Sequence, residues 1–209
     1  IKMPSETKEQ IVETALELFS QNGFLGTSMS DIASCLKITK GALYKHYEGK
    51  QQILERIIER MAELDLERAK KYKMPESNSE KSAEAYANIP AEKIRGYSIA
   101  QFRHWTEEKF SAQFRKMLTL EQFRSKEMSN LYQDYLVAGP LEYMSKIFKK
   151  ITKSKPKARQ VALEFYGPIF TLYSVYDGAE ENAKKSVFVQ LEKHIENFIE
   201  QFEKERAEK

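Results

Sequence analysis

The sequence predicts an all-α fold of about nine or ten helices. A three-helix N-terminal unit over residues 1–50 precedes a larger helical body over residues 51–209. Two observations carry this reading. Glycine and proline are scarce, 8 and 6 in 209 residues, while Glu, Lys, Leu, Ala and Gln, which lose little freedom in a helix, are abundant. Apolar residues also recur at three- and four-residue spacing along nearly every segment, with polar or Gly/Pro breaks between.

The first helix is announced by Thr7, with Gln10 completing a capping box, and by Ile11, Ala15, Leu18 and Phe19 along one face. It ends at Asn22 and Gly23, the glycine suiting a left-handed helix-closing residue. Ser28 and Asp31 form a second capping box for a short helix, Met29–Leu36, whose Ile32, Ala33 and Leu36 share a face. On this helix Cys35 reads as a small buried apolar residue.

Lys37, Ile38 and Thr39 make the short connection that a helix-turn-helix requires, with Ile38 placed to bury and Thr39 to cap. The third helix, Lys40–Tyr47, sets Leu43 and Tyr47 on a packing face and Lys40, Gly41, Tyr44 and Lys45 on a free one. Lys50 then opens a long helix reaching about Lys73, striped by Ile53, Leu54, Ile57, Ile58, Met61 and Leu64. Such a rod of about 24 residues is roughly 36 Å long.

Residues 75–82 are polar and interrupted and read as an exposed loop. Five helices follow near residues 91–106, 111–123, 126–137, 141–153 and 157–176. A last helix over 182–204 carries Val187, Leu191, Ile195, Phe198 and Phe202 on one side.

The formal net charge of +3 is too small to mark a protein that coats nucleic acid, so contact with a polyanion has to be local. The single cysteine excludes an intramolecular disulfide framework and a zinc finger. Ile1–Gln10 carries both charge signs and is no secretory leader, and no apolar run approaches the ~18 residues of a membrane span. A cytoplasmic protein without metal or cofactor is the expectation.

The stretches DIASCLKITK, Asp31–Lys40, and GALYKHYEGKQQIL, Gly41–Leu54, closely resemble the DNA-binding signature of the tetracycline-repressor (TetR) family. The likeness runs from about Glu9 to Ile58. Its most specific features are the Leu43–Tyr44 pair, the aromatic Tyr47 and Lys50. The resemblance implies a repressor that binds palindromic double-stranded operator DNA as a homodimer and is released by a small-molecule effector.

Physically, the third helix fits a major groove about 12 Å wide, with Leu43 and Tyr47 fixing its angle. Lys40, Gly41, Ala42, Tyr44 and Lys45 are the groove candidates. Thr39, Tyr44, His46, Tyr47 and Lys50 resemble family positions that contact phosphates, and Thr27 or Ser28 could do the same from the second helix. Glu6, Glu9, Glu13, Glu17, Asp31 and Glu48 balance the nearby lysines. Affinity is therefore expected to need a dimer and to fall with salt.

For the body, the resemblance implies a ligand pocket and a dimer interface on the last two helices. Phe165, Ile169, Tyr173, Leu191, Ile195 and Phe198 are the expected dimer residues. Phe102, Trp105, Phe110, Tyr132, Tyr135, Tyr143 and Phe170 are the expected ligand contacts, and Glu107, Glu108 or Asp134 could select a cation among them. The expected mechanism is an effector-driven shift of the long helix that changes the spacing of two recognition helices, whose half-sites lie roughly 34 Å apart.

Two other classes stay open. A small helical enzyme would use His104, His194, Glu107 and Glu108, although the sequence holds no HExxH motif, phosphate-cradling loop or nucleophile elbow. An adaptor would use the helix-turn-helix to bind protein.

Overall fold

The computed structural model describes residues 4–72 and 91–207. These form ten α-helices: α1 Pro4–Asn22, α2 Met29–Cys35, α3 Lys40–Tyr44, α4 Lys50–Lys71, α5 Ala91–Thr106, α6 Lys109–Glu121, α7 Lys126–Leu136, α8 Ala138–Thr152, α9 Lys155–Gly178 and α10 Lys184–Ala207. The expected loop at 75–82 lies outside the described residues. Four boundaries differ by more than two residues from the sequence reading, one of them the end of the last helix, at Ala207 rather than near residue 204. The first helix starts at Pro4 rather than near Thr7, since proline at a first helical position gives up an N–H that would go unbonded anyway. The recognition helix stops at Tyr44. α8 starts at Ala138, before Gly139 and Pro140 instead of after them.

The helices gather into two compact units, Ile1–Arg68 with Lys109–Tyr132, and Ala69–Glu108 with Gln133–Lys209. Packing thus adds residues 51–68 and 109–132 to the helix-turn-helix head, and both α4 and α7 run from one unit into the other.

In the first unit α1 packs along α6. Ile11, Leu16 and Phe19 of α1, Ile32 of α2, Leu43 of α3, Ile53, Leu54 and Ile57 of α4, and Phe114 and Met117 of α6 are all fully buried. Each such side chain contributes about 1.5–3 kcal/mol relative to exposure. Ion pairs lace the rim: Arg60 meets Glu9 at 2.9 Å and Glu13 at 3.1 Å, Arg56 meets Glu63 at 2.9 Å, and Lys109 meets Glu17 at 2.8 Å. These pairs are largely exposed, so each adds little to stability. The buried Glu121 side chain lies against Gly23, whose φ is +80°, and pairs with Arg124 at 3.4 Å.

The second unit is built on α9, which packs against α5, α8 and α10. Phe102 stacks on Tyr173 at 5.1 Å and meets Tyr176 and Phe188 edge-on. Phe148 of α8 faces Phe165, Phe198 and Phe202. Tyr166 donates its hydroxyl to the Leu136 carbonyl at 2.7 Å.

This packing corrects the expected dimer residues. Phe165, Ile169, Tyr173, Leu191 and Ile195 are buried inside the unit, and Phe198 is half-buried against Phe148 and Phe165. The large apolar side chains left exposed on α9 and α10 are Leu163, Val175 and Val189.

Candidate nucleic-acid interface

Local chemistry sets each edge of the helix-turn-helix. The Thr27 hydroxyl donates to the Gly23 carbonyl at 2.9 Å and is buried, closing α1. Ser28 then caps α2: its hydroxyl accepts from Asp31 N at 3.2 Å, while Asp31 Oδ2 accepts from the Ser28 N–H at 2.7 Å. Donation from the Ser28 hydroxyl, then from its backbone N–H, holds the Asp31 carboxyl below its ordinary range. The turn passes through Lys37, whose φ of 56° is left-handed. Ile38 N donates to the Ala33 carbonyl at 3.0 Å, and Thr39 Oγ1 accepts from Ala42 N at 3.1 Å to start α3.

Leu43 is fully buried and Tyr47 nearly so, which anchors α3 from behind. Burial, followed by the nearby Glu9 carboxylate, pushes the Tyr47 phenol up. The opposite side is open. Thr39, Lys40, Gly41, Tyr44 and Lys45 are exposed, and Ala42 and His46 are half-buried. Lys40 Nζ lies 5.9 Å from the centre of the Tyr44 ring, so cation and aromatic share one face. A Cβ added at Gly41 would meet nothing within 4 Å.

The structure therefore brings together Thr39, Lys40, Gly41, Ala42, Tyr44, Lys45 and His46, with Ser28 exposed at the start of α2. Three expected phosphate contacts have structural places within the chain. Thr27 is buried and bonded to Gly23, and Tyr47 is an anchor. Lys50 donates Nζ to the carbonyls of Phe24 at 2.6 Å and Thr27 at 2.9 Å and sits over the Phe24 ring. Its ammonium fixes the α1–α2 connection to the start of α4. Cys35 is exposed, not buried, because α2 turns Ile32 and Ala33 inward. Ile38 is half-buried.

The expected ligand contacts divide. Phe110 and Tyr132 belong to the first unit, where Phe110 stacks under the Arg60 guanidinium at 4.3 Å. Phe102, Trp105, Tyr135, Tyr143 and Phe170 belong to the second, with Trp105 and Tyr135 edge-to-face at 6.4 Å. His104 is buried with Nδ1 2.7 Å from Glu108, and His194 Nε2 bonds the Phe165 carbonyl at 2.8 Å. The His194 bond ties α10 to α9, while the His104 contact is local to the end of α5. Among the described residues no cluster of His, Cys, Asp and Glu could hold a metal ion, and no helix is long and apolar enough to cross a membrane.

Residues 11–57 match the family described as bacterial regulatory proteins, tetR family. The chain is similar to the biofilm operon icaADBC HTH-type negative transcriptional regulator IcaR of Staphylococcus epidermidis, 38% identical over 52 residues, 25% of this chain and 28% of the relative. It is also similar to the HTH-type transcriptional regulator AcrR of Shigella flexneri, 38% identical over 71 residues, 32% of this chain and 33% of the relative. The matched stretch thus spans about a third or less of these curated relatives.

Two solved structures share the fold along most of the chain. A transcriptional regulator (TerR/AcrR family) from Aquifex aeolicus is 22% identical with a TM-score of 0.63, covering 91% of this chain and 98% of the other. A complex of SmeT with triclosan is 16% identical with a TM-score of 0.61, covering 92% and 91%. Residues 11–57 thus carry the signature of the tetR family of bacterial regulatory proteins on the helix-turn-helix, and most of the chain shares the all-helical fold of these solved structures.

Proposed function

We propose that the chain is a cytoplasmic repressor that binds palindromic double-stranded operator DNA as a homodimer and releases it when a small molecule binds the second unit. The observation that carries this reading is the exposed Lys40–Gly41–Tyr44–Lys45 face, backed by the buried Leu43 and Tyr47. A short helix held at a fixed angle presents side chains to base edges, while Thr39, His46 and Ser28 lie at its margins for phosphates. The repressor names of IcaR and of other relatives support the direction of control.

Dimerisation through the outer faces of α9 and α10 is supported by the exposed Leu163, Val175 and Val189. Phe102, Trp105, Tyr135, Tyr143 and Phe170 supply an aromatic wall for an effector in the second unit, and the triclosan complex of SmeT offers an aromatic precedent. α4, which belongs to both units, would carry the effector's influence to the head.

Selection of bound fragments from random duplex DNA tests the reading: a two-fold symmetric site should emerge, with half-sites about 34 Å apart. No enrichment would overturn it. Repeating the binding at saturating concentrations of a compound panel should find at least one that lowers affinity, and unchanged affinity throughout would remove the effector from the proposal.

A further inference from the structure

Residues 143–163, the C-terminal part of α8 and the start of α9, hold Lys146, Lys149, Lys150, Lys153, Lys155, Lys157 and Arg159 and no aspartate or glutamate. With a formal net charge of +3 overall, the rest of the chain is net acidic. Lys149, Lys150, Lys153, Lys155, Lys157 and Arg159 are exposed. Lys146, at the edge, pairs with Glu142 at 3.1 Å.

The fold concentrates these charges. α8 ends at Lys153 in a left-handed conformation, φ 55°, and Ser154 caps α9 immediately. The last turn of one helix and the first turns of the next therefore meet at one corner. Lysines at three- and four-residue spacing on α8 repel one another. Lys155, Lys157 and Arg159 sit at the positive end of the α9 dipole, with no acidic residue in its first turn. Both effects oppose folding, and both are relieved by a polyanion.

The class of polyanion follows from what surrounds the charge. Phe148 turns inward onto Phe165, Phe198 and Phe202. Between Lys146 and Arg159 no large hydrophobic side chain is exposed; the nearest on α9 is Leu163, one turn beyond the last cation. The corner thus lacks the apolar wedge of a membrane-binding helix and the aromatic anchor of a protein interface. Its cations are lysines save one, point charges without the planar fork that fixes geometry, which suits contact with a row of phosphates regardless of sequence.

We infer that the α8–α9 corner is a second DNA-binding surface that holds the phosphodiester backbone of duplex DNA regardless of sequence. It goes beyond the reading of the head: the head selects, and the corner supplies affinity blind to sequence.

The test uses the full chain and a random-sequence duplex, with Kd followed between about 50 and 200 mM salt. The corner variant Lys149→Gln/Lys153→Gln/Lys155→Gln should show a log–log salt slope shallower by about two to three, since each lost phosphate contact removes roughly 0.9. Its preference for selected over random fragments should hold, and its melting temperature should stay level or rise, since the lysine repulsion is relieved. Lys155→Gln/Arg159→Gln should repeat the effect at smaller size from the α9 side. Tyr44→Ala in the head should lose the preference and keep the wild-type slope on random duplex, so failure of the head's assignment and of the corner's are told apart. An unchanged slope in both corner variants would overturn the inference. So would phosphatidylglycerol vesicles that capture the wild type but not the corner variants while the DNA slopes stay equal.

Discussion

The two units deploy their aromatic side chains in opposite ways. In the head Tyr44 stands 45% exposed one residue after the fully buried Leu43, so the chemistry offered outward is complete before any partner arrives. In the body Phe102 is fully buried and stacked on Tyr173, so aromatic surface is spent on itself. A preformed outward face binds without reorganising the fold, whereas a ligand reaching the body's aromatics has to displace contacts they already make. This fits a reader of fixed shape joined to a sensor that changes when occupied.

The comparison is broken most severely at the two buried anchors. Phe102→Ala should cost about 3–5 kcal/mol and Leu43→Ala about 2–5 kcal/mol, read as loss of melting temperature. The two should differ in consequence. The Phe102 variant, while folded, should keep operator affinity, and the Leu43 variant should lose it because α3 loses its seat. Equal loss of DNA binding would erase the distinction between reader and sensor.

Lys50→Ala comes next, at about 1–3 kcal/mol, since it strips a charged donor from the Phe24 and Thr27 carbonyls. Affinity should fall for every sequence together with thermal stability, and a normal melting temperature with weak binding would return Lys50 to the phosphates. Tyr44→Ala should leave stability within about 0.5 kcal/mol yet reduce discrimination among DNA sequences by about 1–3 kcal/mol, as competition binding would report.

The smallest effect is a pH dependence at Asp31. Its folded carboxyl is held below the ordinary range by the Ser28 hydroxyl and N–H. The stability it contributes is therefore present above the carboxylate range of the unfolded chain and is lost as pH falls through the lower folded value. Asp31→Asn should flatten the acid limb of the melting-temperature profile slightly, and an unchanged limb would dismiss the capping carboxylate as a contributor.

The head was legible in the sequence because its signals are local. Ser28 with Asp31, Thr39 before Lys40, and Gly23 after Asn22 each act within three or four residues, and the structure shows each doing so. Lys50 was misjudged because its acceptors lie more than twenty residues upstream. A lysine at a helix start suggests a phosphate until the fold brings a carbonyl closer. Cys35 was misjudged for a related reason: on so short a helix, periodicity leaves one position of the apolar face undecided.

The body was harder. The periodicity of Phe165, Ile169, Tyr173, Leu191 and Ile195 shows that these faces are covered but not by which chain, and α5, α8, α9 and α10 cover them within the unit. Phe110 and Tyr132 looked like neighbours of Phe102, yet the discontinuous packing assigns them to the head.

Gly41 leaves a last consequence. In a helix, glycine forfeits roughly 0.5–1 kcal/mol relative to alanine, and among the described residues nothing stands within 4 Å of a Cβ there. No contact within the described chain requires a bare backbone at that point. Position 41 is in this sense a blank character in the reading helix. A side chain written into it has open space in the fold, so if the proposed DNA reading holds, a Gly41→Ser variant should select a different operator from random fragments.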